Sequence, residues 1–165
     1  MLLYADPPWS YRDKCSLGRR IEEKYPTLSL EEIKQYPIPI SPTAILCLWA
    51  VSPQLPEALD VIRAWGFTYK AILVWDKLRI GMGSWWRVQH EFLLLAIKGN
   101  VSAPTIRPSS VLRCRRGRHS EKPFEVREML AKMFPATKKI ELFARTGWEG
   151  WESHGNEVQK MLWQR

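Results

Sequence analysis

The chain has 165 residues, 45% of them hydrophobic, and carries 25 Lys and Arg against 17 Asp and Glu, a net charge of +8. This composition excludes a disordered chain and favours a single domain over residues 1–165 with its own hydrophobic core. The apolar runs are too short to span a membrane, "MLLYA" lacks the features of a signal peptide, and the cysteines and histidines are scattered, so we expect a cytoplasmic protein with no metal site.

Five near-continuous apolar runs predict strands that are covered on both faces, as in a parallel or mixed sheet. In chain order they are "LLYA" (2–5), "AILCLWA" (44–50), "AILVW" (71–75), "EFLLLAIK" (91–98) and "KKIELFA" (138–144).

Two stretches between these runs have helical periodicity. In "SPQLPEALDVIRAWG" (52–66) the apolar residues share one face and Gly66 is a plausible stop. In "SEKPFEVREMLAKMFP" (120–135) they recur at helical spacing, with Ser120 as the expected N-cap and Pro135 as the end. Alternating strands and helices predict an α/β domain of three layers.

Three stretches do not fit this scaffold: a charged, turn-rich segment (10–29), the loop "KLRIGMGSWWRVQH" (77–90) and the basic run "RCRRGRH" (113–119). Loops of this length in a small domain tend to be functional or mobile. Ligands of open α/β sheets bind beyond the carboxyl ends of strands, which is where "DPPW" (6–9) follows the first strand.

The "DPPW" segment has the chemistry to hold an aromatic amine. The two prolines stiffen the backbone and cannot donate hydrogen bonds, so we expect their carbonyls to remain free as acceptors. The Asp6 carboxylate and the Pro7 carbonyl would accept from an amino group such as that of adenine, while Trp9 stacks on the ring. Acceptors placed there would also stabilise positive charge that develops on the nitrogen during alkylation. A proline turn that ends a strand, with Trp9 in the core, is the alternative.

Seven motifs in this order resemble the adenine N6-methyltransferases related to the catalytic subunit of the eukaryotic mRNA adenosine methyltransferase. They are "ADPPW" (5–9), "KYPTLSLEEI" (24–33), "LWAVSPQLPEALDVIRAWGF" (48–67), "GMGSWWRVQHEFLLLAIKG" (81–99), "HSEKP" (119–123), "KKIELFAR" (138–145) and "WESHGNE" (151–157). The resemblance implies a Rossmann-like fold that uses S-adenosylmethionine, in a permuted order with "DPPW" ahead of the cofactor segment. Longer members have a cofactor contact upstream of "DPPW", which we expect to be missing here or supplied elsewhere.

The resemblance also implies roles for individual residues. Catalysis would fall to Asp6, Pro7, Pro8 and Trp9. Lys122 resembles the lysine that meets the methionyl carboxylate of the cofactor, and Glu91 aligns with a glutamate near the catalytic loops, for which a structural role stays open. The implied cofactor-binding residues are Asp6, Lys122, Phe143, Arg145, Asn156 and Glu157.

The basic composition, with a pI of about 9.6, is typical of nucleic-acid-binding domains, although solubility alone also accounts for it. Trp85, Trp86 and Arg87 would stack on and clamp an unstacked nucleotide, unless the two indoles are simply buried. If they lie in an extended loop, one indole should face the nucleotide and the other the protein body. Phosphate contacts are expected from Arg115, Arg116 and Arg118.

The partner implied is nucleic acid, with DNA favoured over RNA by the resemblance to small bacterial and phage members. An RNA adenosine N6-methyltransferase and a catalytically silent nucleic-acid-binding subunit are the alternatives. Whether the protein is a homodimer, a heterodimer or a monomer is left open.

Overall fold

A computed structural model describes residues 1–10, 27–83, 85–117 and 121–155. Within these ranges the elements are β1 (Leu2–Ala5), α1 (Leu30–Lys34), β2 (Ala44–Ala50), α2 (Leu55–Ala64), β3 (Thr68–Asp76), β4 (His90–Lys98), β5 (Val111–Arg113), α3 (Phe124–Met133), β6 (Lys139–Leu142) and β7 (Glu152–His154). No helix in the described part of the chain is long and apolar enough to cross a membrane.

The described strands form one sheet in the order β5-β3-β4-β2-β1-β6-β7. Strand β4 is antiparallel to its neighbours β2 and β3, whereas the pairs β1–β2, β1–β6, β3–β5 and β6–β7 are parallel. Six strands therefore run in one direction and β4 runs against them.

Both faces of the sheet are covered, which explains the near-continuous apolar runs. Alternate residues of β1 and β2 point to opposite faces, so Leu3 and Ala5 pack with α1 and α2, and Leu2 and Tyr4 pack with α3. The three-layer α/β prediction is confirmed, and the arrangement is Rossmann-like.

A buried ion pair ties α3 to the sheet. Arg127 of α3 donates from Nε and Nη2 to the two carboxylate oxygens of Glu141 in β6, at 3.1 and 2.5 Å. The guanidinium also lies over the rings of Tyr4 and Trp148, at 5.0 and 4.7 Å from their centroids. The aromatic contacts and the two hydrogen bonds compensate for removing the charge from water.

Three predicted boundaries are corrected. Helix α3 begins at Phe124 with Pro123 at the cap position and no side-chain cap, so Ser120, which lies outside the described residues, is not its N-cap. Strand β6 ends at Leu142 rather than Ala144, because Phe143 adopts a left-handed φ of 60°. Strand β3 begins at Thr68, three residues before the predicted run. Gly66, with φ 76°, follows α2 as expected.

Candidate active site

The strand directions bring one end of β4 to the edge where the other strands finish. In the register between β3 and β4, Trp75 pairs with Glu91 and Asp76 pairs with His90. The start of β4 therefore lies beside the end of β3, at the same edge as Asp6, which follows β1. This carboxyl edge is where open α/β sheets bind ligands.

Four charged side chains meet at this edge and are called here the charged cluster: Asp6, Lys77, Glu91 and Lys122. Lys122 Nζ lies 2.9 Å from Asp6 Oδ1 and 3.2 Å from Glu91 Oε2. Lys77 Nζ lies 2.5 Å from Glu91 Oε1. The Lys122 and Glu91 side chains are only 12% and 14% exposed, so the contacts are shielded from water. Two cations and two carboxylates leave the cluster with no net charge.

Two members of the cluster, Glu91 and Lys122, are held in their charged forms by their neighbours. Burial alone would raise the pKa of Glu91, but the Lys122 and Lys77 ammonium groups outweigh it and hold that pKa below the ordinary value. Burial alone would lower the pKa of Lys122, but Asp6 and then Glu91 outweigh it and hold that pKa above the ordinary value. Both groups are therefore charged at neutral pH.

Lys122 is also positioned by an aromatic ring. Its ammonium lies 5.5 Å from the centroid of the Trp49 ring, which is buried at the end of β2. An ammonium has three N–H donors, and Asp6 and Glu91 accept from two of them. Counting only acceptors in the part of the chain that the structure describes, one donor remains for a further acceptor.

The "DPPW" backbone is more fully bonded than the sequence analysis expected. The Pro7 carbonyl accepts from the Trp9 N–H, and the Pro8 carbonyl accepts from the Leu28 N–H, both at 2.9 Å. The expectation that these carbonyls are free is therefore wrong. A carbonyl oxygen has two lone pairs, however, so Pro7 keeps the capacity for a second hydrogen bond.

The position of Trp9 fits both interpretations of the "DPPW" segment, in which the indole either stacks on a base or belongs to the core. Its indole Nε1 donates to the Trp49 carbonyl at 3.1 Å, and its ring packs against the core under α1 and α2. The ring is only half-buried, so it is fixed in place while part of it remains accessible.

The residues implied for cofactor binding are only partly brought together. Phe143 follows β6 at the same edge, is half-buried, and packs against Tyr36 with ring centroids 4.3 Å apart. Its left-handed backbone is strained for a residue with a side chain, and such strain is common at functional sites. Arg145 is exposed two residues further on. Asn156 and Glu157 lie outside the described residues.

The two tryptophans of the β3–β4 connection are both on the surface. Trp85 is 94% exposed and Trp86 is 85% exposed. Burial of both indoles is excluded, and the expectation that one of them faces the protein body is wrong. Arg87 is exposed beside them.

The basic run and this loop lie on neighbouring strands. Arg113 ends β5, and its Nε lies 3.3 Å from Asp76 Oδ2 at the end of β3. Arg115 and Arg116 continue from there and are exposed, whereas Arg118 lies outside the described residues. The two stretches predicted separately to contact nucleic acid thus leave neighbouring strands at the same edge of the sheet.

Sequence reasoning missed two residues of this site, Lys77 and Asp76. Lys77 was seen only as one basic residue of a loop, and Asp76, between the predicted strand (71–75) and that loop, was given no role. Asp76 Oδ1 accepts from the Leu78 N–H and the Gln89 side chain, at 2.9 and 2.7 Å. The hairpin register pairs Glu91 with Trp75 and so places Lys77, two residues further on, on the same face as Glu91, but the bounds of both strands were needed to set that register.

The seven-stranded mixed sheet of the described residues, covered by helices on both faces, is consistent with a Rossmann-like methyltransferase fold. A family model described as MT-A70 matches residues 1–157, so the chain belongs to the MT-A70 family.

Three relatives illustrate the range of similarity. The chain is 37% identical over 179 residues to the Type II methyltransferase M.MunI of Mycoplasma sp, with 95% of this chain and 77% of that protein covered. It is 28% identical to a probable N(6)-adenosine-methyltransferase MT-A70-like protein of Oryza sativa subsp. japonica, covering 95% of this chain and 23% of that protein. It is 27% identical to the N(6)-adenosine-methyltransferase catalytic subunit METTL3 of Homo sapiens, covering 95% of this chain and 28% of that protein. The chain thus spans about a quarter of the length of the plant and human relatives.

Proposed function

We propose that the protein transfers a methyl group from S-adenosylmethionine to the 6-amino group of adenine in nucleic acid, with DNA favoured over RNA. The observation that carries the proposal is the partly shielded contact between Lys122 and Asp6, the residue directly ahead of the two prolines and Trp9. It sets a carboxylate acceptor, an ammonium donor and an aromatic ring side by side at the sheet edge.

The charged cluster has the donor set that the cofactor's amino-acid end requires. That end carries a carboxylate and an ammonium group, and the cluster offers the remaining donor of Lys122 and the carboxylate of Asp6. The cluster has no net charge of its own, so it repels neither group. Phe143 would flank the cofactor, and Arg145, Asn156 and Glu157 are proposed for its ribose.

When bound, S-adenosylmethionine supplies an electrophilic methyl group on a sulfonium, which leaves as a neutral thioether. The chain's residues prepare the amine. Asp6 and the second lone pair of the Pro7 carbonyl accept from the two N–H groups, which favours a pyramidal nitrogen with a localised lone pair. The nitrogen gains positive charge as the new N–C bond forms, and the acceptors stabilise that charge. The amine then gives up one proton, which Asp6 is placed to accept.

DNA is favoured because the chain covers 77% of the bacterial relative but about a quarter of the plant and human ones. We therefore infer the substrate from the small bacterial and phage members of the family, for which DNA is favoured. An adenine inside a duplex must leave the base stack to reach a recessed carboxylate.

The decisive test is mass spectrometry of nucleosides. DNA and RNA without methyladenine are incubated separately with the protein and S-adenosylmethionine labelled in the methyl group, then digested. We expect labelled N6-methyl-2′-deoxyadenosine. Label confined to adenosine from RNA would transfer the proposal to RNA. Absence of label from both, together with no cofactor binding in calorimetry, would favour the silent subunit.

Replacing Arg115 and Arg116 together by alanine is expected to flatten the salt dependence of nucleic-acid binding. Each phosphate contact that is lost lowers the slope of log affinity against log salt by about 0.9 for duplex DNA. Fluorescence anisotropy at several salt concentrations measures the slope. The control variant, Arg63→Ala with Lys98→Ala, removes two charges at the opposite edge of the sheet. An equal slope in both variants and the parent would exclude this run as a phosphate contact.

A further inference from the structure

The connection between β3 and β4, residues 77–89, presents bulky apolar side chains to solvent. Ile80 is 67% exposed, Met82 is 89% exposed, and Trp85 and Trp86 are 94% and 85% exposed. These four side chains are called here the hairpin tip. Single exposed apolar residues are ordinary, but four on one short connection are typical of a contact surface.

The tip is mounted on a closely folded backbone. Lys77 N–H donates to the Gln89 carbonyl and Gly81 N–H donates to the Val88 carbonyl, at 2.9 and 2.8 Å. A Cβ on Gly81 would lie 2.7 Å from the Val88 carbonyl oxygen, so only glycine fits that close approach. A Cβ on Gly83 would lie 2.0 Å from the Trp86 carbonyl oxygen. The glycines therefore allow the loop to double back and present its apolar side chains outward.

The charges around the tip suit a polyanion. Residues 77–90 contain Lys77, Arg79 and Arg87 and no Asp or Glu. On one side Asp76 joins the base of the connection to Arg113, from which the basic run continues. On the other side the returning strand carries Glu91 into the charged cluster. The connection that carries the tip thus starts beside the basic run and ends beside the proposed site of methylation.

We propose that the hairpin tip is a wedge that enters the base stack of duplex DNA and fills the space left by the extruded adenine. This inference rests on the proposed function and adds to it that the duplex is the substrate. Apolar side chains inserted between base steps stabilise unstacked duplexes in other nucleic-acid-binding proteins, and indoles stack on bases of any sequence. A single strand has no partner base to leave behind and needs the wedge less.

The test compares methylation of native and heat-denatured DNA of the same sequence by the full chain. In Trp85→Ala with Trp86→Ala, we expect the rate on native DNA to fall tenfold or more and the rate on denatured DNA to change less than threefold. Trp85→Phe with Trp86→Phe keeps aromatic faces and should restore most of the rate on native DNA. Because both indoles are exposed, melting temperatures should match the parent in every variant.

A matched control removes exposed apolar side chains elsewhere. Ile40→Ala with Ile106→Ala alters two residues that are 96% and 55% exposed and precede β2 and β5, at the opposite edge of the sheet. This variant should keep the parental ratio of native to denatured rates.

The outcomes separate the wedge from the proposed function. If the parent methylates both DNA forms and the double alanine variant keeps the parental ratio of native to denatured rates, the wedge proposal is wrong and the proposed function stands. If the double variant also changes the molecular mass in light scattering, the tip is instead a contact between copies of the chain. If the parent methylates neither DNA form nor RNA, the proposed function fails and the wedge fails with it.

Discussion

Replacing Asp6 with alanine is expected to lower the rate of adenine methylation by about 10²–10³-fold or more, while the protein stays folded. Asp6 is the acceptor that the proposed chemistry needs in the transition state, when the amine nitrogen gains positive charge. Lys122 bonds to Asp6 Oδ1, and a carboxylate can accept about four hydrogen bonds, so the same group can serve both the lysine and the amine.

Single-turnover methylation with saturating cofactor measures this effect, and thermal melting checks the fold. Asp6→Asn separates charge from shape, because it keeps one acceptor oxygen of similar size but removes the negative charge. We expect the methylation rate of Asp6→Asn to lie between the rates of the parent and of Asp6→Ala. Asp60→Ala is the matched control, because Asp60 is a largely exposed carboxylate on α2 paired only with Arg63 among the described residues. Its rate should equal that of the parent.

A near-parental single-turnover rate in folded Asp6→Ala would contradict the catalytic role. The "DPPW" segment would then be a proline turn held by the Pro8–Leu28 and Trp9–Trp49 hydrogen bonds, with Trp9 as part of the core.

The long strands could be predicted because they are covered on both faces. Strand β2 is buried at every one of its seven positions, and its apolar run leaves little ambiguity. Strands β5 and β7 could not be predicted from the sequence, because each has only three residues and alternates exposed with half-buried positions. Helix α1 has five residues and buries only Ile33, so its pattern is equally weak.

The charged cluster could be predicted only in parts. Asp6 and Lys122 were identified by motif, and Glu91 was left between two roles. What joins them is the reversed direction of β4, which carries its first residues to the edge where β1 and β3 end. The contact of Asp6 with Lys122 joins side chains more than 100 residues apart in the chain, so it depends on strand order, and no local pattern encodes that order.

For the connection between β3 and β4 (77–89), the sequence predicted a function but not the directions of the side chains. Its glycines and adjacent indoles marked it as functional, and the alternation rule for extended chain predicted opposite directions for Trp85 and Trp86. The loop folds back through Gly81 and Gly83 instead, so alternation does not apply and both indoles reach solvent.

Replacing Lys122 with methionine is expected to lower the free energy of unfolding at neutral pH by about 3–5 kcal/mol, because it leaves shielded carboxylates without their shared cation. Methionine has a similar length and no charge, so the loss reports electrostatics more than packing. Lys77→Met is the comparison. It removes a cation with one carboxylate partner among the described residues and 21% exposure, and we expect it to cost less.

The loss of unfolding free energy in Lys122→Met should become smaller as the pH falls. In the parent, the pKa of Glu91 is held below its ordinary value of 4.5, so its stabilising contribution is complete above 4.5 and is lost as the pH falls through the lowered pKa. Without Lys122, one of the two cations that lower the pKa of Glu91 is lost, so this pKa is higher than in the parent and protonation relieves the unpaired charge at a higher pH. The difference in unfolding free energy should therefore be largest at neutral pH and should narrow as the pH falls toward 4.5.

Urea unfolding of the parent and both lysine variants, at several pH values between about 7 and the ordinary Glu91 pKa of 4.5, measures this difference. A loss in Lys122→Met that stays constant over this range would point to packing against Trp49 instead of the contacts with Asp6 and Glu91. A loss no larger than that of Lys77→Met would mean that Lys122 is not the central cation of the cluster, and the proposed pairing of this lysine with the cofactor carboxylate would lose its structural basis.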